Sequence, residues 1–306
     1  MSEALTEQAF AKVNLTLRVL GRRADGYHAL ESLVAFAELS DTLTLQPGDG
    51  PSLDVSGPFA ATCGPSADNL VLKAFDALRE RTTGLKAGRF SLVKNIPVAA
   101  GLGGGSADAA AALRLLARLN GIAAGDARLM QAARALGADV PVCLDPQVRI
   151  MRGVGDELSA PVKMPPLAGL LVNPGVALAT HDVFAKFAAG HASEMSIGHM
   201  PGTVDAAIGY LALYDNDLTP AAISCVPAIA AVLENLRALA GVQVTRMSGS
   251  GASCFALFPD DESCRRASTM LSAAHKDWWI APTSVPELGI EHEDGGQDIG
   301  PTDRGL

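Results

Sequence analysis

The chain has 306 residues, of which 48% are hydrophobic and 19% are charged, so it is long enough for two domains and has the composition of an ordinary globular protein. Its formal net charge of −9 argues against nonspecific binding to nucleic acid or to an anionic membrane, because both partners require an exposed basic surface. The five cysteines lack zinc-ligand spacing, and residues 1–10 lack the basic and apolar stretches of a signal peptide, which predicts reduced thiols in a cytoplasmic protein.

The first predicted element is a strand over residues 10–20, where apolar and polar side chains alternate and one face is expected to be buried. Lys12 and Asn14 fall on its polar face, about 7 Å apart along the strand, where both can reach one cleft. The alternative is a solvated strand face, which is the commoner role of an isolated lysine.

A turn over residues 21–32, GRRADGYHALES, follows this strand and contains an aromatic ring beside an imidazole. Tyr27 offers a flat face on which a base can stack, and the ring nitrogens of His28 can pair with a base edge. A packed loop is the alternative. Further on, the pattern predicts strands over residues 43–55, a helix over 69–81 and a strand over 90–93.

A glycine-rich stretch over residues 97–112, PVAAGLGGGSADAAAA, leads directly into a predicted helix. Glycine adopts positive φ readily, so several N–H groups can converge on an anion at the positive end of the helix dipole. Ser106 is the predicted N-cap, and Gly121 ends the helix. The stretch matches neither a Walker loop nor a dinucleotide fingerprint, which leaves a third kind of phosphate loop or a flexible turn as interpretations.

Asp139 lies among apolar residues after a predicted helix that begins at Asp126 and ends at Gly137. Pro141 biases the residue before it away from the helical region and so fixes the local backbone. A carboxylate in this setting is either a functional group or the cap of the next short helix. Prolines cluster near residue 160, and we place a domain boundary there, between residues 1–160 and residues 161–283.

The order of predicted elements in the carboxyl-terminal half indicates a two-layer α+β unit. Its predicted elements are a strand over 170–172, helices over 227–240 and 261–274, and strands over 242–247, 254–258 and 278–281. Phe184 opens another helix, where a core position is the alternative to a binding role. Residues 284–306 are acidic, rich in glycine and poor in apolar side chains, which predicts a mobile tail.

Four motifs together resemble those of the GHMP kinases, the superfamily of galactokinase, homoserine kinase and mevalonate kinase. The sequence GLGGGSADAA after Lys94-Asn95-Ile96-Pro97 resembles the family's phosphate loop, GADVP the segment of its catalytic aspartate, and SGSG at 248–251 its third motif. Residues 11–32 with Asp41-Thr42-Leu43 are similar to the signature of one subgroup, the 4-diphosphocytidyl-2-C-methyl-D-erythritol kinases. The resemblance implies an α+β fold of two domains with the active site in the cleft between them.

Site residues follow from the resemblance position by position. The catalytic pair implied is Lys12 with Asp139. ATP contacts are implied for Asn69, Lys94, Pro97, Gly101, Leu102, Gly103, Gly104, Gly105 and Ser106. Substrate contacts are implied for Asn14, Tyr27, His28, Thr180, Phe184, Ser248 and Gly249, with Tyr27 and Phe184 on either side of the cytosine. Mg²⁺ is expected to enter with ATP, and the sequence does not identify its protein ligands.

The implied reaction is ATP-dependent phosphorylation of the 2-hydroxyl of 4-diphosphocytidyl-2-C-methyl-D-erythritol, in the non-mevalonate route to isoprenoid precursors. The sequence leaves three alternatives open: another GHMP kinase acting on homoserine or mevalonate, a binding protein that has lost turnover, and, less favoured, a nicotinamide oxidoreductase. Small molecules are the expected partners, with no nucleic acid and no membrane, and the protein is either a monomer or a homodimer.

Overall fold

A computed structural model of the chain describes residues 3–187 and 196–286. Within these ranges the strands are β1 Leu5–Asn14, β2 Arg18–Arg22, β3 His28–Gly48, β4 Ser52–Ser56, β5 Ala87–Val93, β6 Arg149–Gly153, β7 Glu157–Leu158, β8 Leu167–Asn173, β9 Val244–Met247, β10 Cys254–Phe258 and β11 Trp279–Val285. The α-helices are α1 Leu70–Arg79, α2 Gly104–Asn120, α3 Ala127–Leu136, α4 Val140–Cys143, α5 Thr180–Lys186, α6 Val204–Leu211, α7 Thr219–Cys225, α8 Ala228–Arg237 and α9 Asp261–Ala274.

The first sheet is built around β3, a 21-residue strand that pairs with β1, β2, β5 and β6. Helices α1, α2 and α3 cover one face of it through a continuous apolar cluster. Residues 109–112 of α2 are all alanine and fully buried, and such small side chains let a helix lie close to the strands below it. Helix α2 therefore sits directly against β1.

The second sheet is antiparallel, in the order β11-β8-β10-β9. Every residue of β8 and β10 is buried, because the sheet is covered on both faces. Helices α8 and α9 contribute to the apolar cluster on one face. The other face meets the first sheet.

A third apolar cluster lies between the two sheets and takes side chains from both, among them Val13, Leu33, Leu171 and Phe255. The described chain is therefore a stack of helices, sheet, sheet and helices. This architecture confirms the predicted two-domain α+β fold. The boundary near residue 160 stays a prediction.

The strand expected over residues 10–20 begins earlier, at Leu5, and differs from the prediction in two further ways. It breaks after Asn14 and resumes as β2 at Arg18, and both of its faces are buried. The apolar side chains face the cluster between the sheets, while helix α2 lies over β1 on the other side. A half-buried strand was expected because the covering helix lies about ninety residues further along the chain.

Other element boundaries shift as well, and two of them concern the glycine-rich stretch and the predicted tail. Helix α2 begins at Gly104 with Gly103 as N-cap, so the prediction of Ser106 as N-cap was wrong by three residues. Strand β11 continues through Val285 and includes the first two residues of the predicted tail, because Ser284 and Val285 pair with β8. Residues 287–306 of that tail lie outside the described residues. No helix in the described ranges has the length and apolarity needed to cross a bilayer.

Candidate functional site

The glycine-rich loop, residues 99–106, joins β5 to α2 and has backbone that only glycine tolerates at two points. Gly101 has φ +76° and Gly103 has φ +61°. A Cβ at Gly101 would lie 2.5 Å from the carbonyl oxygen of Ser248, and one at Gly103 would lie 3.0 Å from Cβ of Lys12. The loop is therefore pressed against both the third motif and strand β1.

Four consecutive carbonyl oxygens of this loop accept hydrogen bonds from other parts of the protein. Three of the donors belong to the carboxyl-terminal half and the fourth to β1. The bonds are Leu178 N to Ala99 O at 3.3 Å, Ser253 N to Ala100 O at 3.0 Å, Ser248 Oγ to Gly101 O at 2.9 Å and Lys12 N to Leu102 O at 2.9 Å. With these carbonyls engaged, the groups that the loop offers to a ligand are N–H donors.

The start of helix α2 adds further donors. The first amides of an α-helix have no partner within the helix, and no side chain caps this end at Gly103. Gly105 is exposed and Ser106 half-buried, so both are open to a ligand, whereas Pro97 and Leu102 are buried and can offer only backbone or apolar contact. Unpaired amides and the positive end of the helix dipole form an anion site suited to phosphate.

Lys12 and Asp139 meet beside this loop. Lys12 Nζ lies 3.0 Å from Asp139 Oδ2, with the lysine side chain 4% exposed and the carboxylate 36% exposed. The predicted ion pair is therefore present. Asp139 occupies the N-cap position of α4, but its side chain makes no capping bond there. Of the two interpretations that the sequence allowed, the geometry favours the functional carboxylate.

Asn14 and Ser248 were expected to touch the substrate, but both use their side chains inside the protein. Asn14 is 1% exposed, accepts a hydrogen bond from Lys12 Nζ at 3.0 Å and donates one to Ser32 Oγ at 2.7 Å. The Ser248 hydroxyl accepts from Asn14 N at 3.2 Å while it donates to the glycine-rich loop. These side chains hold β1, the loop and the third motif together. Gly249, with φ +56°, packs against the same two neighbours, Asn14 and Gly101.

Lys94 was also expected to contact ATP, and in the structure its ammonium group already has partners inside the protein. It is 2% exposed and donates to Asp108 Oδ2 at 2.6 Å and to Asp41 Oδ2. We call these three residues the buried triad. A Cβ at Gly104 would lie 3.0 Å from Lys94 Nζ, so the triad lies directly beneath the first residue of α2. Asp41 Oδ1 also accepts from the backbone N–H groups of Asn95 and Ile96.

The buried triad carries one cation and two carboxylates, and its burial together with these charges shifts the pKa of two members. Burial raises the pKa of Asp108 to about 7; the charge of Lys94 opposes the shift, and the neighbouring Asp41 adds to it. For Lys94, burial alone would lower the pKa, but the charges and hydrogen bonds of Asp108 and Asp41 outweigh it and the pKa is raised. Lys94 stays protonated at neutral pH, while Asp108 is the member that titrates.

The contribution of Asp108 to stability should therefore fall as pH rises from its ordinary pKa of 3.8 to about 7. Between the ordinary value of 3.8 and about 7, folded Asp108 holds a proton that the unfolded chain has released, so each step up in pH favours unfolding. The slope approaches at most about 1.4 kcal/mol per pH unit for one proton. We expect Asp108→Asn to flatten this dependence, measured as the difference in free energy of unfolding between wild type and variant in urea from pH 5 to 8. Parallel pH profiles of the two proteins would contradict the assignment.

The predicted base-recognition residues lie in the turn between β2 and β3, at the start of β3 and in α5. Tyr27, in the turn between β2 and β3, is 68% exposed. The ring that lies against Phe184 is that of His28, with centroids 5.2 Å apart and planes inclined by 23°. Phe187 meets His28 edge-on at 5.7 Å. Thr180 begins α5, and its Oγ1 lies 2.9 Å from Ser250 Oγ of the third motif.

Comparison with known proteins identifies the fold and the motifs. A model of the GHMP kinases N terminal domain matches residues 69–145, and one of the GHMP kinases C terminal domain matches residues 202–277. A 4-diphosphocytidyl-2-C-methyl-D-erythritol kinase from Rhodopseudomonas palustris is 53% identical over 92% of this chain and 97% of its own length. The chain belongs to this family of GHMP kinases.

Solved structures agree with this membership. The crystal structure of a 4-(cytidine 5'-diphospho)-2C-methyl-D-erythritol kinase matches with a TM-score of 0.74 and 33% identity, covering 94% of this chain and all of the other. A homoserine kinase from Cytophaga hutchinsonii matches with a TM-score of 0.69 and 18% identity, covering 94% of this chain and 97% of the other, and so shares the GHMP kinase fold. The resemblance inferred from the sequence motifs is confirmed.

Several residues that shape this GHMP kinase site were missed. Asp41 and Asp108 complete the buried triad, and Asn216 donates from Nδ2 to the carbonyl oxygens of Met247 and Gly249, both at 2.8 Å, which fixes the third motif. A signal existed for Asp108, which interrupts an alanine run on the buried face of α2. Asn69 caps α1 by accepting from Val71 N at 3.0 Å, so its predicted contact with ATP competes with a structural use of the same oxygen.

Proposed function

We propose that this protein transfers the γ-phosphoryl group of ATP to the 2-hydroxyl of 4-diphosphocytidyl-2-C-methyl-D-erythritol. The observation that carries the proposal is the Lys12–Asp139 ion pair beside the glycine-rich loop, in a chain 53% identical to a relative that bears this kinase's name. A base, a cation and a phosphate site are the groups that phosphoryl transfer to an alcohol requires.

Asp139 is the proposed general base. Its carboxylate is the more accessible member of the pair, and it accepts the proton of the substrate hydroxyl as the oxygen attacks the γ-phosphorus. Lys12 keeps that carboxylate in place and directs a positive charge at the oxygen on which negative charge develops. The P–O bond to the β-phosphate breaks, and ADP leaves.

The glycine-rich loop is the proposed binding site of the ATP phosphates. Its amides are free to donate because its carbonyl oxygens are engaged elsewhere, and the start of α2 points its unpaired N–H groups the same way. The described residues contain no group of three or more His, Cys, Asp or Glu side chains arranged to hold an ion. We propose that Mg²⁺ arrives bound to ATP, where it neutralises phosphate charge, because this ion is commonly held by substrate phosphates and only one or two carboxylates.

The cellular location proposed is the cytoplasm. All five cysteines lie in described segments and are free, and three of them are buried. Burial raises the pKa of Cys143 and of Cys254 to about 12, so both remain thiols. Unpaired cysteines are typical of a reducing compartment.

A substrate panel tests the function. The purified protein is given ATP with the cytidine diphosphate substrate, homoserine, mevalonate or galactose, and ADP release is followed with a coupled assay. We expect turnover with the cytidine substrate alone and a new phosphomonoester on its 2-oxygen by ³¹P NMR. Preferred turnover of homoserine or mevalonate would assign another GHMP kinase activity, and ADP release with none of them would indicate a binding protein.

Tyr27 gives a sharp test of cytosine recognition, because a side chain this exposed contributes little to folding. We expect Tyr27→Ala to raise the KM for the cytidine substrate about tenfold, the lower part of the 1–3 kcal/mol range that stacking one base is worth. The KM for ATP should not change, and Tyr27→Phe, which keeps the ring, should resemble wild type. An unchanged KM for the cytidine substrate in Tyr27→Ala would remove the stacking role.

A further inference from the structure

A chain of buried hydrogen bonds runs from Lys12 into the first sheet. Lys12 Nζ donates to Asn14 Oδ1 at 3.0 Å, Asn14 Nδ2 donates to Ser32 Oγ at 2.7 Å, and Ser32 Oγ donates to the carbonyl oxygen of Thr16 at 2.5 Å. Each of these residues is at most 3% exposed. The chain therefore connects the ammonium group beside Asp139 to a backbone oxygen without contact with solvent.

The break between β1 and β2 explains why the chain ends at Thr16. Residues 15–17 lie outside both strands, and there the Thr16 hydroxyl accepts from Leu33 N at 3.0 Å. The carbonyl of Thr16 is buried and needs a donor. Ser32, on the neighbouring strand β3, supplies it.

The Thr16 carbonyl decides which group donates and which accepts in every hydrogen bond of this series. A carbonyl oxygen can only accept, so the single hydroxyl proton of Ser32 is committed to Thr16, and Ser32 Oγ is left to accept from the Asn14 NH₂ group. The Asn14 amide must then turn its oxygen toward Lys12. With the amide reversed, an NH₂ group would face the ammonium group, and two donors would oppose each other.

We propose that Ser32 is a positioning residue for phosphoryl transfer: it sets the orientation of the Asn14 amide, which in turn holds the Lys12 ammonium group against Asp139. Among the described residues, Asn14 and Asp139 are the partners of Lys12 Nζ, which leaves the third N–H of the ammonium group for the reacting oxygen of a bound substrate. This inference rests on the proposed function, because it assigns Ser32 a role only through Lys12.

Ser32→Ala tests the proposal by removing the hydroxyl. We expect kcat to fall about 10- to 100-fold, the size of effect produced by small misplacement of a reacting group, with the KM for both substrates within about twofold of wild type. Ser32→Thr keeps a hydroxyl that can make both bonds and should recover most of kcat. Wild-type kcat in Ser32→Ala, or a Ser32→Thr variant as slow as Ser32→Ala, would overturn the proposal.

Ser40→Ala is the matched control, since it removes a hydroxyl from the same strand whose bond goes instead to Gln8 Oε1 at 2.8 Å. Its kcat should match wild type. A double-mutant cycle with Asn14→Ala separates positioning from general weakening of the sheet. If Ser32 acts through Asn14, Ser32→Ala should change kcat less than twofold once Asn14 is alanine. Additive losses would contradict the inference.

Should Ser32→Ala fold poorly, Ser32→Cys provides the second measurement, because a thiol is a weak donor and acceptor of similar size. An intermediate kcat is expected, and a wild-type kcat would count against the proposal. Lys12→Met distinguishes a failure of the role proposed for Ser32 from a failure of the proposed catalytic pair. If Lys12→Met is inactive while Ser32→Ala is unaffected, only the role of Ser32 is refuted; if Lys12→Met turns over normally, the proposed catalytic pair itself fails.

Discussion

Replacing Asp139 with asparagine is expected to reduce kcat between about 100- and 10,000-fold, the range that a positioned general base contributes. The amide cannot take the proton of the substrate hydroxyl, although it retains nearly the same shape and can still lie near Lys12. ATP binding should persist, because the four carbonyl oxygens of the glycine-rich loop accept their hydrogen bonds from residues other than Asp139. Steady-state kinetics together with calorimetric titration of an ATP analogue measures both quantities.

Asp145→Asn is the control for this change. It alters a carboxylate six residues away that pairs with Arg149 at the protein surface, so kcat should stay within about twofold of wild type. Turnover that survives in Asp139→Asn would remove Asp139 as the base. Loss of ATP binding together with turnover would instead indicate that Asp139 helps to form the nucleotide site.

The second large effect is expected on stability. Lys94→Met leaves Asp41 and Asp108 buried without their cation, and removing one partner from a buried ion pair typically costs about 3–5 kcal/mol. The free energy of unfolding, measured in urea at pH 7.5, should fall by that amount. Adding Asp108→Asn to Lys94→Met should recover part of the loss, because a buried carboxyl group that must take up a proton on folding is replaced by an amide that is neutral in both states.

The matched control is Lys73→Met, which removes a half-exposed lysine whose nearest carboxylate, on Asp68, is 3.9 Å away. Its effect should stay within about 0.5 kcal/mol. The same experiment decides between two roles of Lys94. An unchanged unfolding free energy with a raised KM for ATP would restore the contact with ATP that the family resemblance implies, in place of support beneath the loop.

Local patterns predicted the elements whose boundaries depend on their own residues. Strand β10 and helix α9 have the expected limits, because a short unbroken apolar run defines the strand and an aspartate caps the helix, both without reference to distant parts of the chain. Helix α3 likewise begins after Asp126, whose side chain accepts from Arg128 N, and ends at Gly137. The pairing of Lys12 with Asp139 was predicted only because the motifs resembled those of a known family.

The buried triad and the burial of Asn14 could not be predicted, because they depend on contacts between segments that are distant in sequence. Neither Asp41 nor Lys94 shows from its neighbours in sequence that the two meet, since 53 positions separate them. The burial of Asn14 depends likewise on helix α2 and the third motif, which lie far along the chain. The sequence therefore predicted that Asn14, on the polar face of a strand, would contact a ligand, whereas in the structure its side chain is hydrogen-bonded within the protein.

The hydrogen bonds that fix the glycine-rich loop also limit which segments can be exchanged between kinases of this family. Three of the four donors that hold its carbonyl oxygens come from beyond residue 170, so the conformation of the proposed phosphate loop depends on the carboxyl-terminal half. A chimera that exchanges the carboxyl-terminal half for that of another family member would alter nucleotide binding together with acceptor choice. Any such exchange has to carry Leu178, Ser248 and Ser253, or equivalent donors, along with the segment it brings.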